Sequence, residues 1–180
     1  MSAEPSDPWG GMWSAHALSP IAAAWILSVA FDLFLHGGLL ARLYVVPNPF
    51  LLPLEDAFRR IPLGYAAFLG LTIALYWLLA RLGVRGWRGG MRYGLVAGAI
   101  VWGALVIGLY SISTVSVPLL AGWWIGQAAE LGVAGAVLGA AAAGTPLKRI
   151  YTVVAAAAVA LVIATIVLQS LGLAPAMKMG

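Results

Sequence analysis

Six polar side chains interrupt stretches that are otherwise apolar: Ser28, Asp32 and His36 within 19–44, Thr72 within 62–82, and Gln127 and Glu130 within 117–143. Asp32 and His36 are four residues apart, a spacing that stacks them on one face of a helix, and Ser28 and Trp25 continue the stripe toward the N-terminus. An acid beside an imidazole in apolar surroundings suits a proton or ion relay, or a polar floor for a small ligand. The same residues would also serve as a hydrogen-bonded clamp between two helices. A charged side chain at bilayer depth costs about 2.5–3.5 kcal/mol on insertion scales, so Asp32 and Glu130 must be shielded, paired or protonated. His36 is the nearest cation-forming group, because Arg42 is far enough along to extend outward to the headgroups.

Other chemistries lack their residues. The chain has no cysteine, which excludes disulfides and thiolate ligands. It has no HExxH, ExxH or His-rich spacing, no nucleophile triad, no phosphate loop and no dinucleotide fingerprint. Neither a metal nor a resident cofactor is therefore expected, and no catalytic residue. Haem or pigment ligation by His36 would rest on imidazole chemistry alone.

The elements that position these groups follow from composition. The chain is 63% hydrophobic and only 9% charged, with a mean hydropathy of +0.99, which leaves too little polar surface for a water-soluble globule. An all-α integral membrane bundle is expected. Its net charge of +4 is scattered at helix ends, so lipid headgroups are better partners for it than nucleic acid. Residues 1–18, with acids and three aromatic or Met anchors, read as an interfacial tail and not as a cleaved signal peptide.

Five spans are predicted, over 19–44, 62–82, 91–110, 117–143 and 146–171, each about long enough to cross 30 Å of hydrocarbon. Ser19 and Pro20 read as cap and first residue of the first helix, and Ser116 with Pro118 as the opening of the fourth. The proline-rich stretch between the first two spans leaves room for a short interfacial helix over 50–60, with Glu55 and Asp56 in its first turn and Arg59 and Arg60 in its last. The last span, rich in Ala, Val and Ile, is expected at the periphery, facing lipid or a partner.

Glycines set the expected packing. Gly94 and Gly98 form a GxxxG in the third span, and Gly122, Gly126, Gly135 and Gly139 give the fourth span small faces on which another helix can approach closely. Counting rise from the span ends puts Asp32 roughly level with Gln127, and Ser28 roughly level with Glu130, if the first and fourth spans touch. Arg81, Arg85, Arg88, Arg92, Lys148 and Arg149 share one side, against Arg42, Arg59, Arg60 and Lys178 on the other. The positive-inside rule then places the N-terminus in the cytoplasm and the C-terminus outside.

The segments DLFLHGGLLARLY, WRGGMRYGLVAG and WWIGQAAELGVAGAVLG resemble those of small uncharacterised bacterial integral membrane proteins with four core helices. That set shows an Asp-x-x-x-His-Gly first helix, an Arg–Tyr–Gly–Leu opening of the third and a glycine-rich fourth. The likeness covers about residues 20–143 and implies the architecture but no activity; the fifth span departs from it. Two functions stay open: an accessory subunit packing against other membrane proteins or copies of itself, and a proton-coupled or small-solute transporter using Asp32, His36 and Glu130.

Overall fold

The apolar runs fold as helices throughout. The computed structural model describes residues 15–46 and 49–175, which form α1 (Ala15–Phe34), a π-helical turn (Leu35–Leu39), α2 (Ala41–Tyr44), α3 (Leu54–Arg81), α4 (Trp87–Ile112), α5 (Val117–Ala142) and α6 (Leu147–Ser170). Five of these segments are long and apolar enough to cross a membrane: 17–39, 55–81, 87–112, 117–142 and 147–170. Residues 1–14 of the expected tail lie outside the described residues, and 15–18 already belong to α1.

Helix ends carry the expected chemistry in part. Ser116 has extended backbone angles and precedes α5, with Pro118 in the first turn, where a missing N–H costs nothing. Gly83 and Gly144 end α3 and α5 with φ of 63° and 83°, values that an L side chain resists. Two proline readings are corrected. Pro20 lies inside α1 and does not open it. Pro62 likewise fails to separate an interfacial helix from the second span, because Leu54–Arg81 is one continuous helix capped by Pro53. Around Pro62 the residues Ile61, Leu63 and Gly64 are exposed, so the ring meets no packed neighbour, and one lost bond in a 28-residue helix is tolerated.

α1 and α5 form the centre. α1 packs against α3, α5 and α6, and the core joins Ala23, Ala24 and Leu27 of α1 to Leu75 and Leu79, Ala134 and Leu138, and Ile150 and Val154. The last span, α6, lies along α1 on one side and leaves most of its remaining surface exposed. The helix with the most exposed surface is α4, which packs closely only along α5.

That α4–α5 contact is backbone on backbone. Ideal Cβ atoms at Gly90, Gly94 and Gly135 would overlap the carbonyl oxygens of Gly135, Leu131 and Gly90, and one at Gly98 would stand 2.8 Å from Ala128 Cα. Gly139 completes the seam, where its carbonyl accepts the Gly86 N–H at 2.8 Å. Gly122 and Gly126 do a different job on another side of α5. They receive Leu40 and Leu35 from the π turn and its exit, so α5 shows one glycine face to α4 and another to the π turn.

Candidate functional site

The π turn is the local feature that builds the site. The Leu40 N–H reaches back five residues to the Leu35 carbonyl at 2.7 Å, which inserts one extra residue into the helix just after Asp32 and around His36. Such turns lose helix regularity and redirect the side chains that follow them. Both neighbours hold this one in place. Leu35 fills the space beside Gly126, Leu168 of α6 stands 3.1 Å from where a Gly38 Cβ would be, and Gln169 donates to the Gly37 carbonyl at 2.9 Å. Arg42 is exposed and donates to the Gly172 and Leu173 carbonyls just beyond α6, both at 2.9 Å.

On this scaffold His36 is the hub. Its Nε2 lies 3.2 Å from Asp32 Oδ1 and 3.2 Å from Gln127 Nε2, and its Nδ1 lies 2.5 Å from the Tyr44 hydroxyl. The Tyr44 oxygen also accepts the Trp123 indole N–H at 2.6 Å. A straight α-helix would hold residues eight apart about 12 Å apart along its axis. The π turn and short α2 instead let Tyr44 fold back onto His36.

The donor order follows from the partners. Tyr44 receives Trp123's proton, so its own hydroxyl proton is directed to His36 Nδ1, and neutral His36 then carries its proton on Nε2 and donates it to Asp32. With that tautomer, a Gln127 N–H facing an N–H would be two donors opposed. Turning the amide over presents its oxygen to His36 instead, and Glu130 stands beside Gln127 on the far side from His36. Gln127 Oε1 and Glu130 Oε2 are two buried oxygens without a hydrogen-bond partner among the described residues. The resulting chain runs Trp123, Tyr44, His36, then Asp32 on one branch and Gln127 and Glu130 on the other.

Two of the six sequence candidates stay out of this chain. Thr72 is buried but donates to the Phe68 carbonyl of its own helix at 2.8 Å. Ser28 is buried, and among the described residues no side-chain hydrogen bond joins it to the cluster. Trp25 points to α3, donating to the Tyr65 carbonyl at 2.9 Å. The expected level pairing of Asp32 with Gln127 is shifted by a turn, since Gln127 meets His36. Tyr44 and Trp123 were not among the sequence candidates; nothing marks them in the sequence beyond aromatic character near a span end.

One branch of the chain is closed and the other is open. Gln127 and Glu130 are 3% and 1% exposed, whereas Asp32 and His36 line a cavity of about 760 Å³. Its walls are the exit of the first helix, Val45, residues 50–52, the first turns of α3 and Pro175, with Leu33, Phe50, Leu51, Phe58 and Ile61 among the apolar residues. Tyr65 and Arg60 add polar groups, Arg60 being exposed. The volume falls in the range of small-molecule sites, and so does the character: an apolar enclosure with a few convergent polar groups. Among the described residues no three acidic, His or Cys side chains gather as metal ligands would. No known protein family, curated protein or solved structure matches the chain.

Proposed function

We propose that this chain is a multi-pass membrane protein that handles a small, membrane-soluble solute, holding the solute's polar end at Asp32 and His36 and its apolar body in the adjoining cavity. The observation that carries this reading is the opening of the Asp32–His36 pair onto about 760 Å³ of mostly apolar space. A pure clamp between helices accounts for the closed branch, Gln127 and Glu130, but gives no reason for a hydrogen-bonded acid and imidazole to face a cavity. An accessory subunit bound to partner proteins or to copies of itself would use exposed helix faces and would leave this space without a role. The pair also supplies proton exchange, since His36 can take a second proton while Tyr44 turns its hydroxyl away. With the arginine-rich connector in the cytoplasm, the cavity opens at the outer face.

The test is calorimetric titration of the protein in lipid nanodiscs with triphenylphosphine oxide, a neutral molecule with an aromatic body and one hydrogen-bond acceptor, against empty nanodiscs. Saturable binding is expected in the parent, and its loss in Ala57→Phe, which fills the cavity from a lining position. Binding no stronger than to empty nanodiscs, or unchanged in Ala57→Phe, would refute the reading.

A further inference from the structure

We infer that the cavity is selective for a lipophilic organic monocation, which binds Asp32 in competition with a proton on the Asp32–His36 pair. The inference rests on the solute-handling reading and adds to it the charge of the solute and the ion exchanged.

Three observations point to a cation. Among the described residues Asp32 is the one acidic side chain lining the cavity, and its only ion-pair partner is His36, at 3.2 Å. A buried carboxylate needs a positive charge beside it, and among the described residues no Lys or Arg pairs with Asp32, Arg60 being exposed at the rim. The charge must come from a proton on the pair or from something in the cavity. The walls also suit a cation with an apolar body, since the aromatic residues Phe58, Tyr44 and Tyr65 line the same space as the acid, and ring faces attract cations.

The groups facing the pair from each element are few. The π turn brings His36 itself, α2 brings Tyr44, and the segment 45–53 brings no titratable residue. From α3 come Tyr65 and the exposed Arg60 at the rim; Glu55, further out, is engaged with Arg59 at 2.6 Å. From α5 come the uncharged Gln127 and, behind it, Glu130, which feels the charge of Asp32. From α6 comes Gln169, which is occupied with the Gly37 carbonyl. Arg42 is occupied at the end of α6.

The exchange balances simply. With one proton bound, the pair is net neutral, as Asp32 carboxylate beside doubly protonated His36. When the cation enters, His36 releases that proton to water, and the site again sums to zero as carboxylate, neutral imidazole and cation. No oxidant or second substrate is needed.

The experiment titrates nanodisc-embedded protein with tetraphenylphosphonium, the permanently charged counterpart of triphenylphosphine oxide. Expected are at least tenfold tighter binding than for the neutral compound, a Kd that weakens up to tenfold per unit as pH falls, and one proton released per ion in weakly buffered medium. Asp32→Asn should lose the preference for the cation while keeping the neutral ligand, and Asp32→Glu should retain both. Ala57→Phe should abolish both, and retained oxide binding shows that the Asp32→Asn protein is folded. If the oxide binds and the phosphonium binds no better, or binds without proton release, cation selectivity is overturned and the solute-handling reading stands. If neither binds, both fall.

Discussion

Gly94→Ala should destabilise the protein clearly, while Gly108→Ala, on the same helix, should not. A Cβ at Gly94 would overlap the Leu131 carbonyl oxygen, lie 2.8 Å from that carbonyl carbon and 3.1 Å from Gly132 Cα. All three are backbone atoms of α5, so no rotamer change relieves the clash and the two helices must part. Overpacking of this kind costs about 1–3 kcal/mol, and the immobility of backbone argues for the upper half of that range. At Gly108 a Cβ would have nothing within 4 Å, so alanine there should gain about 0.5–1 kcal/mol from reduced backbone freedom in the unfolded chain. For a chain of this size about 2–4 °C accompanies each kcal/mol. Thermal unfolding in mild detergent, followed by far-ultraviolet circular dichroism, should therefore show Gly94→Ala melting about 4–12 °C below the parent, with Gly108→Ala at or slightly above it. Equal melting of the two variants would refute the backbone-contact account of the α4–α5 seam.

Glu130→Gln should keep the folded yield and melting temperature of the parent, because the amide preserves hydrogen bonding beside Gln127, whereas Glu130→Leu should cost about 0.6–2 kcal/mol for the interhelical network it disrupts; an equally stable leucine variant would show that the closed branch holds nothing together. Single cysteines at Arg85 and Thr114, both exposed and in successive connectors, should be labelled by impermeant reagents from opposite sides of intact cells, Arg85 from the cytoplasm. Labelling of both from one side would end the five-span arrangement.

Much of this architecture is legible in the residues. The spans follow from apolar length, and α5 begins at Val117 as its Ser116 and Pro118 require. The GxxxG of α4 finds its partner as small-residue packing in lipid demands. The Asp32–His36 pair is legible from spacing alone, since four residues make one helical turn. Proline misleads at Pro20 and Pro62 because its cost depends on what surrounds the ring, and in both places the helix absorbs one missing bond. The π turn has no local signature beyond the two glycines after His36; it exists because Leu35, Gly37 and Gly38 are gripped by α5 and α6, contacts far away in sequence. Tyr44 and the cavity were illegible for the same reason, as both depend on how the chain turns after Leu39. The packing of α6 along α1 hides in an alanine-rich composition that suits lipid and helix packing alike.

The bonds that complete the site impose an order on its making. His36 waits for Gln127, 91 residues later in the chain, and the Gly37 carbonyl waits for Gln169, 132 residues later. At about 5–20 residues per second of synthesis, those partners emerge roughly 5–18 and 7–26 seconds after the helix that needs them. The earliest support comes from α3, where Tyr65 offers its carbonyl to Trp25 after 40 residues. For most of the interval the acid and imidazole of the first span stand without the helices that will enclose them, so the site closes only when the last helix arrives.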